Sequence, residues 1–152
     1  MKYYKKELWQ LMHSSDEQKR KEAQTQFRVS AKKYGPYFDK IKHELPVDFL
    51  ITFNENKWFH DFNITDIHFK NIESRTIVSI NISLGDIQYN LIFHEVTKFV
   101  VDVPNKEFWM PTGMKWGYTE FELLNNVWAI NILCDINCEI EMRFEMIEIS
   151  KI

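Results

Sequence analysis

At 152 residues, with 45% hydrophobic and 15% aromatic side chains and a formal net charge of -3, the chain has the material for one core. That much apolar surface offsets the entropy of ordering a backbone, which excludes a disordered protein. No run approaches the roughly eighteen apolar residues of a membrane span, and the opening MKYYKKELWQ lacks the apolar stretch of a signal peptide, so the expectation is a cytoplasmic protein with no membrane association.

The charge is uneven. Residues 1–46 hold 11 Lys and Arg against 6 Asp and Glu, whereas the remainder holds 8 against 16. Basic helices docked beside an acidic sheet would produce this division.

Residues 1–46 read as helical. Leu8, Leu11 and Met12 share a face of a short opening helix, and Ser14-Ser15 before Asp16 and Glu17 reads as an N-cap with acidic residues in the first turn. A second helix carries Ala23, Phe27, Ser30, Ala31 and Tyr34 at helical spacing, runs to about Lys33 and ends at Gly35-Pro36. Pro36 then opens a third, with Phe38, Ile41 and Leu45 as its core stripe and Pro46 as its close. Phe49 to Phe53 is an apolar run of undecided type, and Asn54-Glu55-Asn56 signals a turn.

From about residue 62 to 150 the pattern is that of strands. Ile67 and Phe69 alternate with polar residues, as do Val78, Ile80 and Ile82; Gly85-Asp86 suits a type II′ turn that pairs Ile82 with Tyr89, Ile80 with Leu91 and Val78 with Phe93. A strand from about Val96 to Val103 follows, with broken alternation at Glu95 to Lys98 that suggests a bulge. Residues 102–117 then form a long aromatic loop, with Phe108, Trp109, Met110, Met114 and Trp116. Asn125-Asn126 suits a type I′ turn that places Leu123 against Trp128 and Phe121 against Ile130. The loop at Asp135 to Asn137 sets Cys134 opposite Cys138, Ile132 opposite Ile140, Ile130 opposite Met142 and Trp128 opposite Phe144. Two independently placed turns keep the same face apolar, and a slip of one residue at either would turn that face to water. The expected fold is α+β: N-terminal helices packed on an antiparallel sheet of about six or seven strands that ends in a three-stranded meander, one domain over residues 1–152. The pattern leaves open sheet, sandwich and half-barrel undecided.

Candidate sites follow from this register. The outward face of the meander carries Glu120, Glu122, Glu139, Glu141 and Glu145 with Arg143 as the one cation, an acidic stripe for a basic partner or a solvated face. Phe108, Trp109 and Trp116 of the aromatic loop are of the types enriched at protein interfaces, and such a loop also serves as a lid over a sheet. His60 and Asp61 are a neighbouring imidazole and carboxylate that could ligate a metal or shuttle a proton, or could fix the start of the first strand. No His-x3-His or His-Glu-x2-His spacing, nucleophile elbow or phosphate-cradling loop occurs, and four glycines leave little material for one. Cys134 and Cys138 are close enough to pair if oxidised and remain thiols in a reducing compartment; their spacing is not that of a zinc site. The basic helix with Lys19, Arg20, Lys21, Arg28, Lys32 and Lys33 lacks interleaved aromatics, so nucleic acid is not expected as a partner.

Three segments, MKYYKKELW at the start, FHDFNI leading into the sheet and YTEFELLNN with EIEMRFEMIEI at the close, resemble a family of uncharacterised bacterial proteins known as a domain of unknown function. More loosely, the His-Asp-then-strands layout is similar to small immunity proteins that neutralise toxins in bacterial competition. The resemblance implies no catalytic residues and assigns no role to His60 and Asp61. The resulting expectation is an interaction protein that binds an unidentified protein partner without a cofactor or metal, in an immunity-like role. The alternatives are a metal-dependent hydrolase centred on His60 and Asp61, with His68 or His94 brought near, and a binder of a small apolar ligand on the concave side of the sheet.

Overall fold

A computed structural model describes residues 1–103, 114–135 and 138–152. The fold is α+β, with three helices, α1 (Lys6–Met12), α2 (Glu17–Ile41) and α3 (Val47–Glu55), set against one antiparallel sheet. Asp16 is the N-cap of α2: its carboxylate accepts the Gln18 and Lys19 N–H groups at 3.0 and 3.2 Å. The expected cap at Ser14-Ser15 thus falls on the next residue, and Ser14, two residues before Asp16, accepts the Asp16 N–H at its Oγ.

The helix does not stop at Gly35-Pro36 as its residue types suggest; α2 continues through Pro36 to Ile41. A mid-helix proline removes one hydrogen bond and crowds the carbonyl a turn earlier, at about 3 kcal/mol. Packing on both sides of it makes the continuous helix the better solution. Tyr34 and Phe38 stack on each other at 5.7 Å, Phe38 stacks on Phe121 at 5.9 Å, and the Tyr34 hydroxyl accepts the Phe121 N–H at 2.6 Å. Pro46, read as the close of a helix, instead precedes α3, whose Phe49 and Phe53 are 1% exposed.

The sheet has eight strands: β1 (Asn63–Ile72), β2 (Arg75–Leu84), β3 (Ile87–His94), β4 (Lys98–Asp102), β5 (Met114–Leu124), β6 (Val127–Cys134), β7 (Glu139–Phe144) and β8 (Met146–Lys151), in the order β4-β7-β6-β5-β1-β2-β3-β8. The expected six or seven omitted the break at Glu145, where a bend divides the last strand in two. Met142 and Phe144 point inward before it and Ile147 after it, so the inward phase shifts by one residue there. Opposite this bend, Glu95 has φ +53, and β4 follows β3 just as β8 follows β7. His94 pairs with Met146 and Lys98 with Arg143, so the two ladders are one ribbon carrying a single extra residue on the β3–β4 side. That is the bulge the broken alternation announces.

The two end strands β4 and β8 are thus continuations of β3 and β7, and the sheet rolls up. Its two halves meet inside, where Phe93 and Phe144 pack edge to face at 5.0 Å. Among the described residues, β1 and β5 pair at Asn63↔Lys115 and Ile64↔Met114, and farther along β5 its edge meets α2 through Tyr34.

The registers of both turns hold. Ile82↔Tyr89, Ile80↔Leu91 and Val78↔Phe93 pair across Gly85 (φ +59), and Leu123↔Trp128 and Phe121↔Ile130 pair across Asn125 and Asn126 (φ +51 and +64). Glu73 and Ser74 make a further left-handed turn between β1 and β2. Among the described residues, no helix is long and apolar enough to cross a membrane. Because Tyr34 links α2 to the free edge of β5 by a hydrogen bond, Tyr34→Phe is expected to cost about 1 kcal/mol through an unsatisfied Phe121 N–H. Urea denaturation of the two proteins measures it.

Candidate functional site

The expected acidic stripe is only in part a solvent face. Glu120 was expected to face solvent and is 0% exposed. The register is right, since Glu120 pairs with Asn131 on the face opposite Phe121, but residues 1–4 and α1 cover that face at this end of the sheet. The carboxylate accepts the backbone N–H groups of Lys2, Tyr3 and Tyr4, two of them at 2.7 and 2.6 Å. Three amide donors satisfy a buried carboxylate without a counter-cation. Glu139 accepts from the Met1 amine at 2.7 Å, and Glu141 pairs with Lys98 of β4 at 2.6 Å. Glu122 and Glu145 remain, half-buried and exposed.

The aromatic loop divides likewise. Phe108 and Trp109 lie outside the described residues, while Trp116 belongs to the core: it is 1% exposed and its indole N–H donates to Thr119 Oγ1 at 2.7 Å. Trp116 falls inside β5, and its place among Phe59 and other core rings removes it from any exposed contact surface.

His60 and Asp61 lie where three remote segments meet. Lys57, Trp58 and Phe59 have φ of +51, +61 and +58, and Asp61 has +75. Left-handed backbone in residues bearing a Cβ costs roughly 1–2 kcal/mol each. Phe59 holds the turn in place: it is 0% exposed, with Phe53 at 5.3 Å, Phe62 at 5.4 Å and Trp116 at 5.7 Å around its ring. Two backbone bonds tie the turn to β5, Asp61 N–H to Trp116 O at 2.9 Å and Trp116 N–H to Phe62 O at 2.7 Å. Trp58 stacks on Phe53 at 5.9 Å with its planes 7° apart and donates its indole N–H to Asn54.

A bulge supplies the opposite wall. Trp116 pairs with Cys134 and Tyr118 with Leu133, so Gly117 is the extra residue, and a Cβ there would overlap the Leu133 carbonyl oxygen. The slip turns Tyr118 to the outer face, where its ring meets His60 at 5.2 Å, Phe27 at 4.6 Å and Trp9 at 5.3 Å. Together Tyr4, Lys57, Trp58, His60, Asp61, Gly117, Tyr118 and Thr119 line a cleft of about 310 Å³.

His60 Nδ1 lies 3.1 Å from Asp61 Oδ2. Burial raises the Tyr118 hydroxyl above its ordinary pKa, helped by Asp135 and Asp61, and burial with the Glu120 and Tyr118 charges lifts Tyr4 to about 12, so both phenols are neutral donors at physiological pH. The cleft therefore offers one ammonium, an imidazole steadied by a carboxylate, and aromatic walls. His68 sits 3.9 Å from Asp66, and His94 Nε2 sits 3.2 Å from Glu148 but out of line for a hydrogen bond. The histidines thus keep separate carboxylates, and among the described residues no three His, Cys, Asp or Glu side chains gather into a metal site. The signal for this cleft in the sequence is the His60-Asp61 pair; the left-handed turn carries no glycine to announce it.

No protein-family model matches the chain, and no curated protein matches it.

Removing the Glu120 charge leaves three aligned amides with a weaker acceptor, so Glu120→Gln is expected to destabilise the fold by about 2–3 kcal/mol, whereas Glu122→Lys and Glu145→Lys shift it by under about 0.5 kcal/mol. Chemical denaturation compares the three. Equal effects would mean that residues 1–4 are not held by Glu120.

Proposed function

We propose that this is an interaction protein that binds a protein partner, with the surface around Lys57–Asp61 as its contact. The observation that carries the reading is the left-handed turn: three consecutive non-glycine residues hold a costly backbone conformation and thereby present Lys57, Trp58, His60 and Asp61 at one cleft. Backbone strain of this kind concentrates at binding and switching sites, where it preorganises side chains. Trp58 is half-buried, so it can anchor a partner while losing little rotamer freedom, and Lys57 and Asp61 form a charged rim around it. The acidic stripe is a weaker candidate, with Glu120, Glu139 and Glu141 already engaged within the chain. Similarity to small immunity proteins makes neutralisation of a toxin the specific form of this reading.

The test is a photo-crosslinking amino acid at position 57 or 60 in the native host, with position 28 on the exposed face of α2 as control. One discrete adduct is expected from 57 and 60, absent from 28 and lost with Trp58→Ala. Matching adducts from all three positions would sink the assignment. Lys57→Gly sharpens it, because glycine adopts this φ without strain: the variant is expected to gain up to about 1 kcal/mol of stability while partner binding weakens.

The second reading, a metal-dependent hydrolase, would rest on the adjacent His60 and Asp61, with His68 and His94 beside Asp66 and Glu148 instead. Equilibrium dialysis against zinc or manganese separates the two. Protein binding alone predicts no stoichiometric uptake; one metal per chain, lost in both His60→Ala and Asp61→Asn, transfers the assignment to the hydrolase.

A further inference from the structure

We propose that Cys134 and Cys138 are a redox modification site, forming a reversible intramolecular disulfide across the end of the β6–β7 hairpin when the protein meets a peroxide or a small-molecule disulfide. Both cysteines are free and 0% exposed, and they face each other: the Cys134 N–H donates to the Cys138 carbonyl at 2.8 Å. Leu133 pairs with Glu139, so Cys134 and Cys138 are the next positions opposite each other, where antiparallel Cα atoms lie about 4.5–5.5 Å apart, within the span of a disulfide.

The two thiols are not equivalent. The neighbouring Cys138 thiol raises the Cys134 thiol, as burial also does. The neighbouring Cys134, with Lys6 nearby, lowers the Cys138 thiol against the opposing effects of burial, Asp102 and Glu139. Cys138 is therefore the attacking sulfur and Cys134 the resolving one. Burial slows the reaction without forbidding it, since local opening exposes buried groups in folded proteins, and Asp135 next to Cys134 is exposed.

With hydrogen peroxide the Cys138 thiolate attacks one oxygen and the O–O bond breaks, giving a sulfenic acid and, after protonation, one water. Cys134 then gives up its proton and attacks the Cys138 sulfur; the S–O bond breaks and a second water leaves. Two thiols and one peroxide become one disulfide and two waters. With oxidised glutathione, Cys138 displaces one glutathione and Cys134 displaces the other from the mixed disulfide, releasing two reduced glutathiones.

The experiment exposes the folded, full-length protein to hydrogen peroxide and, separately, to oxidised glutathione, followed by intact mass and tryptic mapping. The expected result is a loss of two hydrogen masses within the peptide from Trp116 to Arg143, with no dimer, no thiol left for alkylation, and full reversal by dithiothreitol. Dimedone trapping orders the sulfurs: Cys134→Ser is expected to accumulate trapped sulfenic acid at Cys138, and Cys138→Ser to leave Cys134 largely unmodified. The proposal is overturned if folded wild-type protein keeps both thiols under oxidant that cross-links the urea-unfolded chain, or if it yields only intermolecular disulfides or stable glutathione adducts. Equal trapping in the two variants would overturn the assignment of Cys138 as the attacking sulfur.

Discussion

A single buried carboxylate organises one end of this molecule. Glu120 lies on the outer side of β5, where an antiparallel sheet ordinarily meets water, and there it gathers the amides of Lys2, Tyr3 and Tyr4. A charge so far from solvent persists only with its full complement of donors, and that requirement brings residues 1–4 down onto the sheet. Tyr4 then packs on Phe27 at 5.1 Å and on Tyr118 at 5.1 Å, which joins the start of the chain to α2 and to β5. The sheet consequently has apolar packing on both faces at this end, which explains why Leu133, on the outer side, is 1% exposed.

The cleft depends on β5 in the same way. Gly117 shifts the pairing by one residue and sends Tyr118 outward. The turn from Lys57 to Phe59 hangs from the same strand through the two backbone bonds of Trp116. A strained turn and a bulge are each costly alone; side by side they support one another, with Phe59 and Trp116 packed inside and His60 and Tyr118 packed outside. The arrangement leaves a mixed polar and aromatic surface at this cleft.

Much of the sheet was legible because its turns are local. Asn125-Asn126 and Gly85-Asp86 are residues that tolerate positive φ, and the apolar alternation on either side allows one register. Pro36 misled because helix breaking is a local preference of a few kcal/mol, which the contacts of Tyr34 and Phe38 with β5 outweigh. The bend at Glu145 went unread because EIEMRFEMIEI looks like one continuous strand until the half-step between Phe144 and Ile147 is seen against β3.

The sequence by itself determined the class of fold, the hairpin registers and which side of each paired strand is core, since those rest on alternation and turn chemistry within a few residues. Tertiary structure alone decided what lies on the other side. It turned Glu120 from a surface charge into a buried clamp, placed Trp116 in the core, rolled the sheet and brought Tyr4, Lys57 and Tyr118 to one cleft. The physical reason is that strand periodicity separates two faces without saying which of them a distant segment will cover. That choice belongs to contacts between residues more than a hundred positions apart, such as the amides of residues 2–4 and the carboxylate of Glu120.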